Sequence, residues 1–262
     1  MKCKQTFYKT WEILKPFLFY YVLHNAVFIL LLSLCRAAAE GLGRESLTYL
    51  SEHADTVTGI VSGVSMIISV LPLLPMLRLE LAEHRASADG HGQGGLTVLL
   101  AVSSSLGLNV LLGLTGLVGT SAAYQEVADR QYGVAFGLGM LLYGLISPIT
   151  EEIVFRGLVF NRMRRHMPRV AAVIASGVLF GAYHGNLVQG LYGGCMGILM
   201  AYLYERTHSF FTPCLFHAAA NLAVYATAQN GAVQGRLFTI PGCAALLMIS
   251  IVCVAVTERR AV

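Results

Sequence analysis

The chain has 262 residues, a mean hydropathy of +0.65 and only 12% charged residues, a composition that excludes an ordinary soluble domain. Its formal net charge of +4 is small, and it carries no footprint of a nucleic-acid-binding surface. Apolar runs of about 20 residues recur, as is typical of a polytopic membrane protein. The sequence therefore predicts an all-α helical bundle in which residues 1–262 form one membrane domain.

The apolar runs predict about eight membrane-spanning helices. In chain order they are Pro16–Cys35, Thr56–Met76, Gly95–Gly119, Gly133–Asn161, Val170–Asn186, Gln189–Tyr204, Pro213–Ala228 and Phe238–Val256. The fourth could break into two pieces at Ser147-Pro148, because proline interrupts the helical hydrogen-bond ladder. The count falls to seven if one of the short later runs does not cross. Residues 1–132 carry no motif, residues 133–230 hold the polar motifs, and residues 231–262 form the last helix and a tail.

Neither the cysteines nor the N-terminus indicates an exported, disulfide-bonded protein. The six cysteines lie mostly in apolar segments and none forms a C-x-x-C pair, so no disulfide framework or thiolate metal site is expected. The basic N-terminus is followed by a long apolar run without a small-residue cleavage site. This pattern predicts an uncleaved first membrane helix.

Basic side chains predict the orientation of the bundle. With eight spans and a cytoplasmic N-terminus, only Arg36, Arg44, Arg130 and Arg236 fall on the outer side, and the other fourteen of the 18 Lys and Arg residues fall in the cytoplasm. This is a clear positive-inside bias. Both termini are then cytoplasmic, the segment Glu80–Gly94 is a flexible cytoplasmic linker, and short loops without a targeting extension suit a bacterial plasma membrane.

Three polar clusters interrupt the apolar helices of the second half. They are Glu151, Glu152 and Arg156, then Phe180 to His184 (FGAYH), then His217 to Asn221 (HAAAN). Charged groups within lipid are costly and need partners. The four-residue spacing predicts a Glu152–Arg156 pair on one helix face, whereas Glu151 points about 100° away and stays available.

Helix rise predicts that the three clusters lie at one depth. Each is counted from a basic residue at a cytoplasmic helix end: Glu151 is 14 residues from Arg165, His184 is 15 from Arg169, and Asn221 and His217 are 15 and 11 from Arg206. At about 1.5 Å per residue the separations are about 16 to 22 Å. We therefore expect one site inside the bilayer, reached through a cytoplasm-facing cavity.

These residue types can hydrolyse a carbonyl compound. A carboxylate and an imidazole can hold and deprotonate a water molecule, and a second imidazole with an amide can donate to the oxyanion of a tetrahedral intermediate. The same Glu/His/His set could instead ligate zinc. The helical H-E-x-x-H zinc motif is absent from the sequence.

The motifs EExxxR (Glu-Glu-Ile-Val-Phe-Arg), FxxxH (Phe-Gly-Ala-Tyr-His) and HxxxN (His-Ala-Ala-Ala-Asn), in this order, resemble the CAAX-protease and bacteriocin-processing (CPBP) family. This family includes the type II CAAX prenyl endopeptidases, which are intramembrane proteases. The resemblance covers about residues 147–222 and makes residues 133–230 a CPBP-like catalytic core. It implies that Glu151 and His184 activate the water, that His217 and Asn221 stabilise the oxyanion, and that Glu152, Arg156 and Phe180 support the site.

The resemblance leaves two mechanisms open, since members have been described both as metalloproteases and as glutamate-dependent proteases. We expect no cofactor, because an oxyanion role for His217 leaves few ligands for zinc. The alternative is a zinc ion held by Glu151, His184 and His217. The partners implied are the bilayer and a peptide or membrane-protein substrate, such as a prenylated C-terminal peptide or a bacteriocin precursor, with no nucleic acid.

Two other functions compete with a protease. A non-catalytic immunity factor or regulatory scaffold would use the three clusters only as interhelical polar contacts. A proton-coupled transporter would use buried Glu and His as a relay, but it should show repeats in both halves. Here the clusters lie only in the second half, which ranks the transporter last.

Overall fold

The computed structural model describes residues 2–84 and 94–260, and every regular element within them is helical. In chain order the helices are labelled α1 (Lys2–Leu42), α2 (Arg44–Glu52), α3 (Ala54–Val70), α4 (Leu74–His84), α5 (Gly94–Leu114), α6 (Leu117–Thr120), α7 (Ala122–Tyr132), α8 (Phe136–His166), α9 (Arg169–Tyr183), α10 (Leu187–Thr207), α11 (Phe211–Ala228), α12 (Gly231–Leu237) and α13 (Ile240–Arg260). The predicted all-α membrane bundle is confirmed. Most of the predicted linker, residues 85–93, lies outside the described residues.

Each of the eight predicted spans corresponds to a helix, but the helices are not equally able to cross a membrane. In the described part of the chain six are long and apolar enough: Lys4–Leu42, Ala54–Ala82, Gly94–Leu114, Phe136–His166, Leu187–Thr207 and Ile240–Arg259. The predicted fifth span is only the 15-residue α9, and the seventh is the 18-residue α11, which carries His217 and Asn221. The count of eight is therefore approximate.

Helix α8 continues through Pro148, where a break was considered from the sequence. Two of its stretches are π-helical, Leu142–Ile146 before the proline and Ile153–Phe160 after it. Proline lacks an N–H and its ring crowds the preceding turn, and the wider π turn accommodates both effects without ending the helix. The proline thus changes the helix type and does not divide the span.

The two ends of the bundle differ in charge. At one end, called the basic end, ion pairs join the ends of several helices: Arg162–Glu80, Arg165–Glu80, His166–Glu12, Arg164–Glu205 and Arg206–Glu258. At the other end, called the α7 end, Tyr225 Oη donates to Val134 O at 3.1 Å and Gln229 Nε2 donates to Tyr132 O at 3.0 Å. The N-terminal half of α8 and the C-terminal half of α11 therefore meet at the α7 end.

Helices α9 and α10 pack closely through glycines. A Cβ atom on Gly181 would lie 2.3 Å from the carbonyl oxygen of Gly190. A Cβ on Gly197 would lie 2.9 Å from the Cα of Gly177. Because the opposing atoms belong to backbone, they cannot move aside as a flexible side chain can. This contact fixes the position of α10 relative to the FGAYH cluster on α9.

We expect Gly181→Ala to destabilise the protein by about 1–3 kcal/mol, because the added methyl group overpacks a backbone contact. The matched control is Gly137→Ala, since a Cβ there has no neighbour within 4 Å. Thermal unfolding in detergent should show a lower midpoint for Gly181→Ala and little change for the control. Equal midpoints would mean that the two helices are not in this close contact.

Candidate active site

A fully buried ion pair anchors the site. Arg156 Nη1 donates to Glu152 Oε1 at 2.8 Å, and both side chains have no exposed surface. Arg156 Nη2 donates to the backbone oxygen of Gly197 at 2.9 Å, which ties α8 to α10. The ring of Phe180 lies 4.7 Å from the guanidinium carbon in a cation–π contact. The ion pair expected from the four-residue spacing is thus present.

The same glutamate oxygen orients His217. Its Nδ1–H donates to Glu152 Oε1 at 2.9 Å, which sets the ring orientation because the oxygen can only accept. The other ring nitrogen, Nε2, lies 3.9 Å from Glu151 Oε2. The buried ion pair therefore positions an imidazole on α11 so that its second nitrogen points at the neighbouring carboxylate.

Glu151 is placed differently from Glu152 although the two are adjacent in sequence. Its Oε1 accepts a hydrogen bond from Ser147 Oγ at 2.6 Å. Its Oε2 faces His217 across the 3.9 Å gap, and the residue lines a cavity. The carboxylate is therefore held on one side and accessible on the other, as expected for the member of the pair that does not bind Arg156.

Asn221 is held by the π-helical stretch of α8. In that stretch the N–H of Ser147 donates to Leu142 O, five residues back. The next donor in this register would be Pro148, which has no N–H, so the carbonyl of Tyr143 lacks its helical partner. Asn221 Nδ2 donates to this oxygen at 2.9 Å. The proline and the π turn thus create the acceptor that positions the amide.

His184 lies at the C-terminal end of α9 and lines the same cavity. Its Nδ1–H donates to the backbone oxygen of Phe180 at 2.8 Å. A Cβ on Gly193 would approach the same nitrogen to 3.2 Å, so α10 closes behind the ring. Within the described residues, His184 has no hydrogen bond or ion pair with Glu151 or His217. All three residues line the same cavity.

A cavity of about 200 Å³ brings the four predicted catalytic residues together. Glu151, His184, His217 and Asn221 all line it, together with Ser147 and Phe180. The cavity continues towards the α7 end, where its walls are Val118, Tyr124, Ala128, Gln131 and Tyr132. The three motifs therefore converge on one space, and that space lies towards the end of the bundle opposite the basic end.

Zinc has no assembled ligand set among the described residues. A catalytic zinc needs three protein ligands at about 2.0–2.2 Å. Among residues 2–84 and 94–260, no group of three His, Cys, Asp or Glu side chains is placed to hold a metal ion. The candidate ligands Glu151, His184 and His217 line one cavity without forming a ligand group.

Sequence reasoning missed two contributors to the site. Ser147 lies four residues before Glu151, so the helical spacing could have indicated their contact. The backbone oxygen of Tyr143 could not have been found, because no sequence pattern indicates the π-helical stretch that exposes it. Ser147 contacts Glu151, and the backbone oxygen of Tyr143 contacts Asn221. Each residue therefore positions a candidate catalytic side chain.

Comparison with known proteins agrees with the motifs. Residues 133–223 match the family described as type II CAAX prenyl endopeptidase Rce1-like. The chain is 26% identical over 183 residues to YdiL of Bacillus subtilis (strain 168), which is named as a membrane peptidase; the alignment covers 66% of this chain and 71% of that relative. No solved structure is significantly similar to the chain. The resemblance to the CPBP family is confirmed, and the similarities support an intramembrane protease.

We expect Arg156→Met to destabilise the protein by about 3–5 kcal/mol, because it removes the guanidinium that pairs with the fully buried Glu152 carboxylate. The control is Arg164→Met, whose pair with Glu205 is partly exposed and should contribute about 0–1 kcal/mol. Thermal unfolding in detergent measures both. A loss no larger than the control's would show that the Glu152 carboxyl does not depend on this guanidinium.

Proposed function

We propose that this CPBP-family protein is an endopeptidase that hydrolyses a peptide bond inside the bilayer by a metal-free mechanism. Glu151 and His184 activate the water, and His217 and Asn221 stabilise the oxyanion. The observation that carries the proposal is the convergence of these four side chains, from three separate helices, on one cavity. A lone polar residue in lipid would be costly at each of these positions.

Glu151 is suited to act as the general base. Ser147 holds Oε1 in place, so Oε2 can accept a proton from a water in the cavity. The water oxygen attacks the carbonyl carbon of the peptide bond while its proton moves to Glu151. The same carboxyl then delivers that proton to the leaving nitrogen as the C–N bond breaks, which returns Glu151 to its starting state.

His184 is suited to hold the same water. Because its Nδ1–H donates to Phe180 O, the neutral ring presents Nε2 as an acceptor. A water in the cavity between this nitrogen and Glu151 then has two acceptors for its two hydrogens. This directs an oxygen lone pair towards the scissile carbonyl carbon.

His217 and Asn221 are suited to stabilise the oxyanion. Glu152 accepts the Nδ1–H of His217, so in the doubly protonated ring Nε2–H is free to donate into the cavity. Asn221 uses one amide hydrogen on Tyr143 O and keeps the other. Two preorganised donors of this kind are the usual means of stabilising a tetrahedral intermediate.

The metal-free form of the mechanism is supported by the ligand geometry. The three candidate zinc ligands form no ligand group among the described residues. The substrate is a peptide or a membrane protein, in keeping with the name of the Bacillus relative, a membrane peptidase.

Glu151→Gln should abolish cleavage while membrane insertion and thermal stability stay near wild type, because the amide keeps the shape but cannot take a proton. A general base typically contributes about 10²- to 10⁴-fold to the rate. The matched control is Glu126→Gln, an exposed pair with Arg130, which should leave cleavage unchanged. The measurement compares new N-termini in membranes from cells expressing each form.

Cleavage that persists in Glu151→Gln would remove this residue from the mechanism. A cellular phenotype, such as immunity to a toxin, that is retained in Glu151→Gln would instead favour the non-catalytic scaffold.

Prolonged treatment with a strong zinc chelator should leave cleavage by the purified protein unchanged, because no step requires a metal. The activity is measured before treatment, after it, and again after zinc is restored. Loss of cleavage on chelation that zinc specifically restores would contradict the metal-free mechanism and leave the peptidase assignment intact.

A further inference from the structure

We infer that the catalytic cavity opens on the non-cytoplasmic side of the membrane, so that the enzyme cuts peptide bonds in extracytoplasmic or outer-half segments of its substrates. Lipidated tails that lie in the cytoplasm are then not its substrates. The chemistry rests on the proposed function, whereas the direction of opening rests on the charge distribution and the shape of the bundle.

The charge distribution assigns the basic end to the cytoplasm. Arg162, Arg164 and Arg165 meet Glu80 and Glu205 there, and the ends of α1, α4, α8, α10 and α13 that gather at this end carry most of the 18 Lys and Arg residues. Positively charged loops are retained on the cytoplasmic side. At the α7 end, by contrast, helix α7 has one arginine, which pairs with Glu126, and a second acidic residue, Asp129.

The cavity is closed towards the basic end. Between Glu151 and the basic end, every residue from Ile153 to Phe160 is buried. Phe155, Phe216 and Met200 are at most 1% exposed, and the Glu152–Arg156 pair fills the space beside them. Within the described residues, water therefore has no route from the basic end to the catalytic groups.

Beside the cavity, the hairpin formed by α9 and α10 is too short to reach the membrane surface at the α7 end. Helix α9 has 15 residues and spans about 22 Å, whereas the apolar core of a bilayer is about 30 Å thick. The chain turns back at Gly185, which has a φ of +75°. The turn from α9 to α10 therefore lies below the membrane surface and leaves a depression above it.

The turn is polar, which favours the presence of water at that depth. Asn186 Nδ2 donates to Gln189 Oε1, and the Asn186 side chain caps α10 by accepting from the N–H of Gln189. His184 lies directly before the turn. Such groups are tolerated at membrane depth where they are buried in protein or line a water-filled cavity, and His184 lines the cavity. Because the basic end is closed, this water enters from the α7 end.

From the sequence we expected a cavity that faces the cytoplasm, and the charge distribution now favours the opposite side. A cytoplasm-facing cavity and a cytoplasmic basic end cannot both hold, because the cavity and the basic side chains lie at opposite ends of the bundle.

The walls of the cavity suit a peptide. Their tyrosines combine flat apolar faces with hydroxyl groups: Tyr124, Tyr132, Tyr143 and Tyr192.

Cysteine labelling tests the direction of opening. Gln131→Cys places a thiol on the cavity wall in α7, Val224→Cys places one on the same cavity three residues after Asn221, and Lys9→Cys is the control at the basic end. A small membrane-impermeant thiol reagent is added to intact cells and, separately, to inside-out vesicles, with the unsubstituted protein as the background from native cysteines. The inference predicts labelling of Gln131→Cys and Val224→Cys in intact cells, and of Lys9→Cys only in inside-out vesicles.

The opposite pattern, with Lys9→Cys labelled in intact cells or Val224→Cys labelled only in inside-out vesicles, would overturn the inference. Mapping of new N-termini in cells that express the wild type or Glu151→Gln separates the two proposals. Cuts at cytoplasmic positions would reject the inference and keep the protease. Labelling as predicted without any Glu151-dependent cut would keep the direction of opening and reject the protease.

Discussion

One carboxylate oxygen, Glu152 Oε1, accepts hydrogen bonds from both Arg156 and His217 in a space without solvent. Removing two charges from water is costly, and the cost is offset only when geometry and additional hydrogen bonds are good. Here the guanidinium also binds Gly197 O and lies against Phe180. The pair thus joins α8 to α10 and α11, and these contacts fix the direction in which the His217 ring faces.

The two adjacent glutamates on α8 make different contacts. A rotation of about 100° per residue places them in different surroundings. Glu152 lies in the packed interior, whereas Glu151 lines a cavity, where Ser147 donates to it and the Nε2 atom of His217 lies 3.9 Å away. The contact that holds the Glu151 carboxylate therefore comes from a residue of the same helix.

The sequence predicted much of this arrangement and missed the rest for physical reasons. Spacing alone indicated the Glu152–Arg156 pair, and helix rise indicated that Glu151, His184 and Asn221 share one depth, because both depend only on regular helix geometry. The π-helical stretches of α8 were not predictable, since they reflect how proline and tertiary packing alter a helix. The direction in which the cavity opens is not predictable from the sequence, because it depends on which side chains fill the space between the helices.

The central claim is that Glu152 orients His217 so that Nε2 faces the cavity. Nitrogen NMR of the His217 imidazole in lipid membranes, with its signal assigned by its loss in His217→Gln, tests this most directly. The account predicts a proton on Nδ1 in wild type, in hydrogen-bond contact with a carboxylate, and an altered Nδ1 signal in Glu152→Gln. A ring whose only proton is on Nε2, unaffected by Glu152→Gln, would contradict it.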